Sequence, residues 1–229
     1  MVWASILIPV YNGVEYLEEC IDSVISQTFT DWEVLIGING HGSDGGEVAQ
    51  MAHMISLKDK RIKVHVQGPP LKGKVESLND LVSRAVADWI GILDCDDKWK
   101  PTKLERQYDA QQNDAHDADV IGTCCEYFGD RDTQLYLPIG YIDPRVLLDY
   151  NPIINSSSLT KKKWCHWTYT EYNYGVEDYD FWMKICLSGG KLYNISEFLT
   201  YHRIHITSAF NSKGYSDHAI RELYAKRIV

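Results

Sequence analysis

Four short strand-like segments lie in the first hundred residues, at 3–10, 32–38, 61–66 and 89–93, the first apolar except for Ser5, and stretches of helical spacing separate them. No other feature constrains the fold as strongly. From Val14 to Ser26 the apolar residues Leu17, Ile21, Val24 and Ile25 recur at helical intervals, and Val75, Leu78, Leu81, Val82 and Val86 do the same between Gly73 and Ala87. Asp44, three residues before Glu47, resembles a capping box and predicts another helix start there. A strand that is apolar along its whole length needs cover on both faces. The pattern therefore predicts an α/β fold, with a mainly parallel sheet flanked by helices.

The second half is less regular. Helices are expected over 101–113, with Pro101 in the first turn, over 180–187 and over 216–226. Strands are expected over 119–127, 134–137 and 153–159, with a strand or short hairpin over 191–201. No repeat or low-complexity linker interrupts the chain, so residues 1–229 are expected to form one domain.

Charge and cysteine content narrow the function classes. A net charge of −9 disfavours nucleic acid as the main partner, because phosphate contacts need basic surface. None of the six cysteines forms a CxxC pair, so a zinc site is not expected and a reducing compartment is. The apolar run at the amino terminus has no basic segment before it, and no run is long enough to span a bilayer. A cytoplasmic location is expected, with peripheral membrane attachment left open.

In open α/β sheets, ligands bind beyond the carboxyl ends of the strands. Three such ends carry chemistry here: Pro9-Val10-Tyr11-Asn12, Asn39 to Asp44, and Asp94-Cys95-Asp96-Asp97. Asp94 and Asp96 alternate as the chain leaves a buried strand, so both carboxylates can face one hard cation, Mg²⁺ or Mn²⁺, with diphosphate oxygens completing the shell. A solvated acidic turn is the competing reading. Asp97 suits a helix cap or a supporting acceptor. The glycine-rich loop at 39–46 lacks the GxGxxG spacing, and 68–74 lacks that of a Walker loop. The first is read either as a plain turn or as a clamp on base and ribose. Glu177-Asp178 before an apolar segment suits either helix capping or proton abstraction. His202 and His205 fall on opposite faces of a regular strand. Five aromatic residues between Trp164 and Tyr174 suit sugar stacking or a packed edge equally.

Four blocks carry a family resemblance: SILIPVYNGVEYLEECIDSVISQTFTDWEVLI, WIGILDCDDKWKPTKLERQ, GVEDYDFWMKICLSGG and YHRIHITSAF. Together and in this order they resemble the inverting glycosyltransferases of family 2. The resemblance implies a GT-A type nucleotide-sugar-binding fold. It implies that Pro9, Tyr11 and Asn12 line the nucleotide pocket, with Asp44 closing the loop beside it. Asp94 and Asp96 would match the metal-binding Asp-x-Asp motif, Asp94 also lying near the ribose. Asp178 would match the catalytic carboxylate, and His205 a histidine close to the diphosphate or metal. Residues 201–210 would close over the donor.

The family commonly has two aspartates where this chain reads Asn39-Gly40, the first of them contacting the nucleobase. Asparagine both donates and accepts, whereas an ionised aspartate only accepts, so the base of the donor stays open. The implied reaction moves a sugar from a nucleoside-diphosphate sugar to a glycan or lipid-linked hydroxyl. The rivals are a sugar-phosphate nucleotidyltransferase and an inactive nucleotide- or glycan-binding module.

Overall fold

The computed structural model describes residues 1–43, 45–68, 73–205 and 217–227. Ten strands form one mixed sheet: β1 (Ala4–Val10), β2 (Trp32–Asn39), β3 (Ile62–Gln67), β4 (Trp89–Ile92), β5 (Lys98–Trp99), β6 (Val120–Gly129), β7 (Thr133–Leu135), β8 (Gly140–Tyr141), β9 (Leu159–Lys161) and β10 (Leu192–Ile204). The path runs β3-β2-β1-β4-β9-β6-β10-β5, with β7 on β6 and β8 on β10. The pairs β3–β2, β2–β1, β1–β4 and β6–β10 are parallel, and β9 runs antiparallel to both of its neighbours. The helices are α1 (Val14–Ile25), α2 (Gly46–Ser56), α3 (Lys74–Arg84), α4 (Lys103–Gln112), α5 (Glu177–Leu187) and α6 (His218–Ala225).

Side-chain alternation explains the layering. Ile6, Ile8 and Val10 of β1 pack with Leu17, Ile21 and Val24 of α1, and with Ala49 and Ala52 of α2. Leu7, between them in sequence, joins Leu35 and the α3 residues Val75, Leu78 and Leu81 on the other face, with Phe181 and Trp182 of α5 in the same cluster. Each of these β1 side chains is essentially inaccessible to solvent. Burying one contributes about 1.5–3 kcal/mol, and cutting one back to alanine costs about 2–5 kcal/mol because a cavity remains. The parallel run of β1, β2 and β4 brings their carboxyl ends to one edge.

Several boundaries differ from the sequence reading. The stretch 153–159 is not a strand: residues Asn155–Ser157 form a 3₁₀ turn, and the strand β9 begins at Leu159. α2 starts behind Gly45, which has a left-handed φ of 74°; the capping box expected from Asp44 falls on a position outside the described residues. Pro101 precedes α4 rather than lying in its first turn. α5 begins at Glu177, three residues earlier than expected. β10 is thirteen residues long and is irregular between Ile195 and Thr200. Among the described residues, no helix is long and apolar enough to cross a membrane.

Candidate active site

The acidic turn after β4 is the centre of the site. Leu93 still donates to the Leu7 carbonyl at 3.1 Å, and Asp97 N then bonds the Asp94 carbonyl at 3.0 Å. That closure gathers Asp94, Asp96 and Asp97 into one turn. Asp97 is fully buried and accepts from His202 Nδ1 at 2.9 Å and from Arg203 N at 2.8 Å. Arg203 Nε donates to the Asp96 carbonyl at 2.9 Å. The end of β10 is therefore sewn to the turn. Burial works against protonation of His202, but Asp97, Asp94 and Asp96 outweigh it and lift the imidazole pKa to about 9. The ring is a cation at neutral pH.

Asp96 accepts from His205 Nε2 at 2.9 Å. Burial and the neighbouring Asp97 and Asp94 carboxylates push its pKa up, against the pull of His205. His205 lies one residue beyond β10, so both histidines reach the acidic turn despite their odd spacing. The opposite-face expectation holds only for an unbroken strand.

Asp94 is held from three sides. Its N–H donates to Ser156 Oγ at 3.1 Å, Asn155 Nδ2 donates to its Oδ2 at 3.3 Å, and Lys74 Nζ pairs with its Oδ1 at 2.5 Å. Burial raises its pKa, but Lys74 and Asn155 outweigh burial and keep the group below the usual carboxylate range. Lys74, the first residue of α3, was missed in the sequence, where 68–74 was tested only as a phosphate loop. A lysine in a first helical turn opposes the helix dipole, and that misfit was the available signal. Burial disfavours its charge, yet Asp94, Glu177 and Asp178 together drive its pKa well above the ordinary value.

The β1 and β2 ends join the same edge. Cys95 Sγ donates to the Asn12 carbonyl at 3.3 Å, and the His41 ring bonds the Tyr11 carbonyl. Pro9 sits opposite Gly37 within the sheet, whereas the Tyr11 side chain is 60% exposed and free to meet a ligand. Gly40 has a φ of +84°, and a Cβ there would collide with the Tyr11 ring. Asn39 is buried and donates through Nδ2 to the Gly73 carbonyl at 2.9 Å. Because a carbonyl can only accept, this bond assigns the amide orientation, with Nδ2 toward Gly73 and Oδ1 as the acceptor atom of the side chain. Asp44 and residues 206–210 lie outside the described residues.

Asp178 occupies the second position of α5, inside the first turn rather than before it. Asn151 Nδ2 donates to its Oδ2 at 3.0 Å. Burial raises its pKa to about 6, with Glu177 adding to the rise and Lys74 opposing it. The aromatic run divides: Trp167 is buried against Phe181 with ring centres 4.5 Å apart, whereas Tyr172 and Tyr174 are exposed.

The sequence matches the description "Glycosyl transferase family 2" over residues 5–173, most of the chain, which includes the Asp94–Asp97 turn and Lys74. The chain belongs to glycosyl transferase family 2. It is 28% identical over 213 residues to an uncharacterized glycosyltransferase of Methanocaldococcus jannaschii, covering 87% of this chain and 70% of that protein. It is 28% identical over 243 residues to the O-antigen biosynthesis glycosyltransferase WbnJ of Escherichia coli, covering 98% and 90%. Across other curated relatives the chain spans as little as 31% of their length.

Solved structures confirm the GT-A architecture. TarS 1-349 of S. aureus in complex with UDP-GlcNAc superposes with a TM-score of 0.72 at 15% identity, covering 92% of this chain and 61% of that one. The mannosyltransferase PcManGT from Pyrobaculum calidifontis, in complex with GDP-Man and Mn²⁺, gives 0.66 at 15% identity, covering 96% and 60%. The expected α/β fold and the family resemblance are both borne out.

Proposed function

We propose that this family 2 chain moves a sugar from a nucleoside-diphosphate sugar to a hydroxyl of a glycan or lipid-linked saccharide, with inversion at the anomeric carbon and help from Mn²⁺ or Mg²⁺. The observation that carries the reading is the meeting of Asp94, Lys74 and Asp178 at one edge: Lys74 is paired with Asp94 and feels the charge of Asp178.

The donor set fits a divalent cation. Among the described residues no three Asp, Glu, His or Cys side chains are arranged to hold a metal alone. Mg²⁺ and Mn²⁺ sites on phosphorylated ligands need fewer, since one or two carboxylates suffice when phosphate oxygens and water complete the shell. Asp96 and His205, in contact with each other, and Asp94 beside them would provide the protein side. When bound, the cation offsets charge on the departing diphosphate.

The remaining steps belong to the chain. Asn39 offers an acceptor to the base, and Tyr11 an exposed ring. Asp94, kept ionised by Lys74 and Asn155, faces the ribose side. The Lys74 ammonium adds positive charge for the diphosphate. Asp178 takes the acceptor proton as the hydroxyl oxygen attacks the anomeric carbon from the face opposite the diphosphate. The Asp178 pKa of about 6 leaves it ionised at neutral pH yet more basic than an ordinary aspartate, as general-base work requires. Among relatives of this fold, TarS is seen with UDP-GlcNAc and PcManGT with GDP-Man and Mn²⁺, which supports the donor class and the cation.

The test is a nucleotide-sugar panel with Mn²⁺ or Mg²⁺ and saccharide acceptors, following nucleoside diphosphate release and the product anomer by NMR. Transfer with inversion, lost in chelator, is expected. Retention would remove the single-displacement step. Synthesis of nucleotide-sugar from sugar phosphate and nucleoside triphosphate would favour a nucleotidyltransferase, and binding without turnover an inactive module.

A further inference from the structure

Lys103 and Gln107 close the motif block that contains Asp94, yet neither touches the acidic turn. They lie one helical turn apart on α4, both with no solvent exposure. Lys103 Nζ donates to Gln107 Oε1 at 2.7 Å and lies 3.8 Å from the centre of the Trp99 ring. No carboxylate contributes to its titration, and burial alone pushes its pKa far below the ordinary lysine value. A buried amine with so few partners is costly, and a core built only for stability would favour an apolar residue here.

The bonds beyond Lys103 lead to Asp94. With its Oε1 held by Lys103, Gln107 presents Nε2 to the carbonyls of Ile121 at 2.7 Å and Ser157 at 3.0 Å. Trp99 Nε1 donates to the Ser156 carbonyl at 2.6 Å. Two successive carbonyls of the 155–157 turn are therefore clamped from below. From its upper side the same turn offers Ser156 Oγ to the Asp94 N–H and Asn155 Nδ2 to the Asp94 carboxylate.

We propose that Lys103 is a positioning residue for Asp94, acting through Gln107 and Trp99 on the Asn155–Ser157 turn. Lys103 orients the Gln107 amide and packs on the Trp99 ring. Those two side chains fix the turn, and the turn sets where the Asp94 carboxylate points. The consequence for cation binding rests on the function proposed above; the mechanical link does not.

The test uses Lys103→Met, which keeps length and removes the donor. Backbone hydrogen exchange should speed up at residue 94 and at 156–158, while β1 and β2 amides keep their wild-type protection. In Mn²⁺ titrations with UDP or GDP, half-saturation should rise about 10-fold, the usual scale for a lost supporting partner of a metal ligand. In an Asn155→Ala/Ser156→Ala background, which removes both bonds from the turn to Asp94, Lys103→Met should add little to the exchange at residue 94. Trp99→Phe removes the bond to Ser156 and trims the ring on which Lys103 packs, so it breaks the same link and should give the same local exchange signature if Lys103→Met folds poorly. Unchanged exchange at 94 and 156–158, or exchange raised equally throughout the sheet, overturns the proposal. If the wild type shows no cation-dependent nucleotide binding, the proposed function fails while the exchange result still decides the role of Lys103.

Discussion

Lys74 Nζ lies 2.5 Å from Asp94 Oδ1, joining the first turn of α3 to the acidic turn after β4. The same ammonium lowers the pKa of Asp178 on α5. One cation thus links the carboxylate proposed for the donor side to the carboxylate proposed as the base. Its position depends on Gly73, whose carbonyl is held by Asn39 and where a Cβ would run into the Tyr169 hydroxyl. The end of β2 therefore places the first residue of α3, and that residue reaches across to β4.

Lys74→Met should lower transfer by about 10²-fold, the scale of one lost charge-stabilising donor at a developing anion. It should also move the acid limb of the pH–rate profile upward, because Asp178 loses the charge that holds its pKa down. Steady-state kinetics across pH 5–9 check both. An unchanged limb would show that the rate does not depend on the ionisation of Asp178.

Asp96→Asn should abolish cation-dependent turnover while the melting temperature holds or rises. The wild-type carboxylate is crowded by burial and by Asp97 and Asp94, so neutralising it relieves repulsion. Nucleoside diphosphate release over Mn²⁺ and Mg²⁺ titrations, beside thermal melts, gives the comparison. Full activity in the mutant, or in excess chelator for the wild type, would remove Asp96 from the cation site.

The first half of the fold was readable because β1, β2 and β4 are covered on both faces and so are largely apolar, Ser5 of β1 meeting Glu33 of β2 across the pair. The acidic turn was readable for the same reason, since carboxylates stand out where a buried strand ends. The turn at 155–157 was not. Ile153 to Leu159 looks like a strand, but Ser157 Oγ bonds the Ile154 carbonyl and Ser158 Oγ the Asn155 carbonyl, each at 2.8 Å, and these local bonds compete with a ladder. Lys74 was hidden because its partner is twenty residues away and its position is set by a glycine carbonyl. The meeting of the two histidines at one turn was not legible, because face alternation ends with the strand, one residue short of His205.

Asn39→Asp restores the residue common in the family and should nevertheless destabilise this chain. The Asn39 amide donates to the Gly73 carbonyl, and a carboxylate there offers only acceptors. A buried carbonyl left without its donor costs about 1–3 kcal/mol. Protonating the new carboxyl returns a donor, so the deficit should shrink as pH falls through its pKa. Denaturant melts at pH 7 and pH 4.5 test this. Equal stability at pH 7 would mean that the bond to Gly73 is dispensable.

Asp178→Asn should trade activity for stability. Burial raises the wild-type carboxyl from 3.8 to about 6, so the folded state binds a proton more tightly than the unfolded chain does. Between these two values the native protein carries more protons, and the stability from this group falls as pH rises. Above pH 6 the ionised side chain is a standing cost of about 1–2 kcal/mol, after a discount for its partial exposure to solvent. Asparagine keeps the shape, can still meet Asn151 once its amide is turned to accept, and carries no charge. The variant should therefore be more stable than the wild type at pH 7–8 and lose that advantage below pH 4. Transfer should fall by about 10²-fold or more, as for a missing general base. Donor binding should change little, because the groups proposed for the donor lie on β1, β2, α3 and the Asp94 turn. Urea melts across pH, single-turnover transfer and donor calorimetry separate the three quantities. Normal transfer by Asp178→Asn would rule it out as the base, and loss of donor affinity in step with rate would assign it to the donor pocket instead.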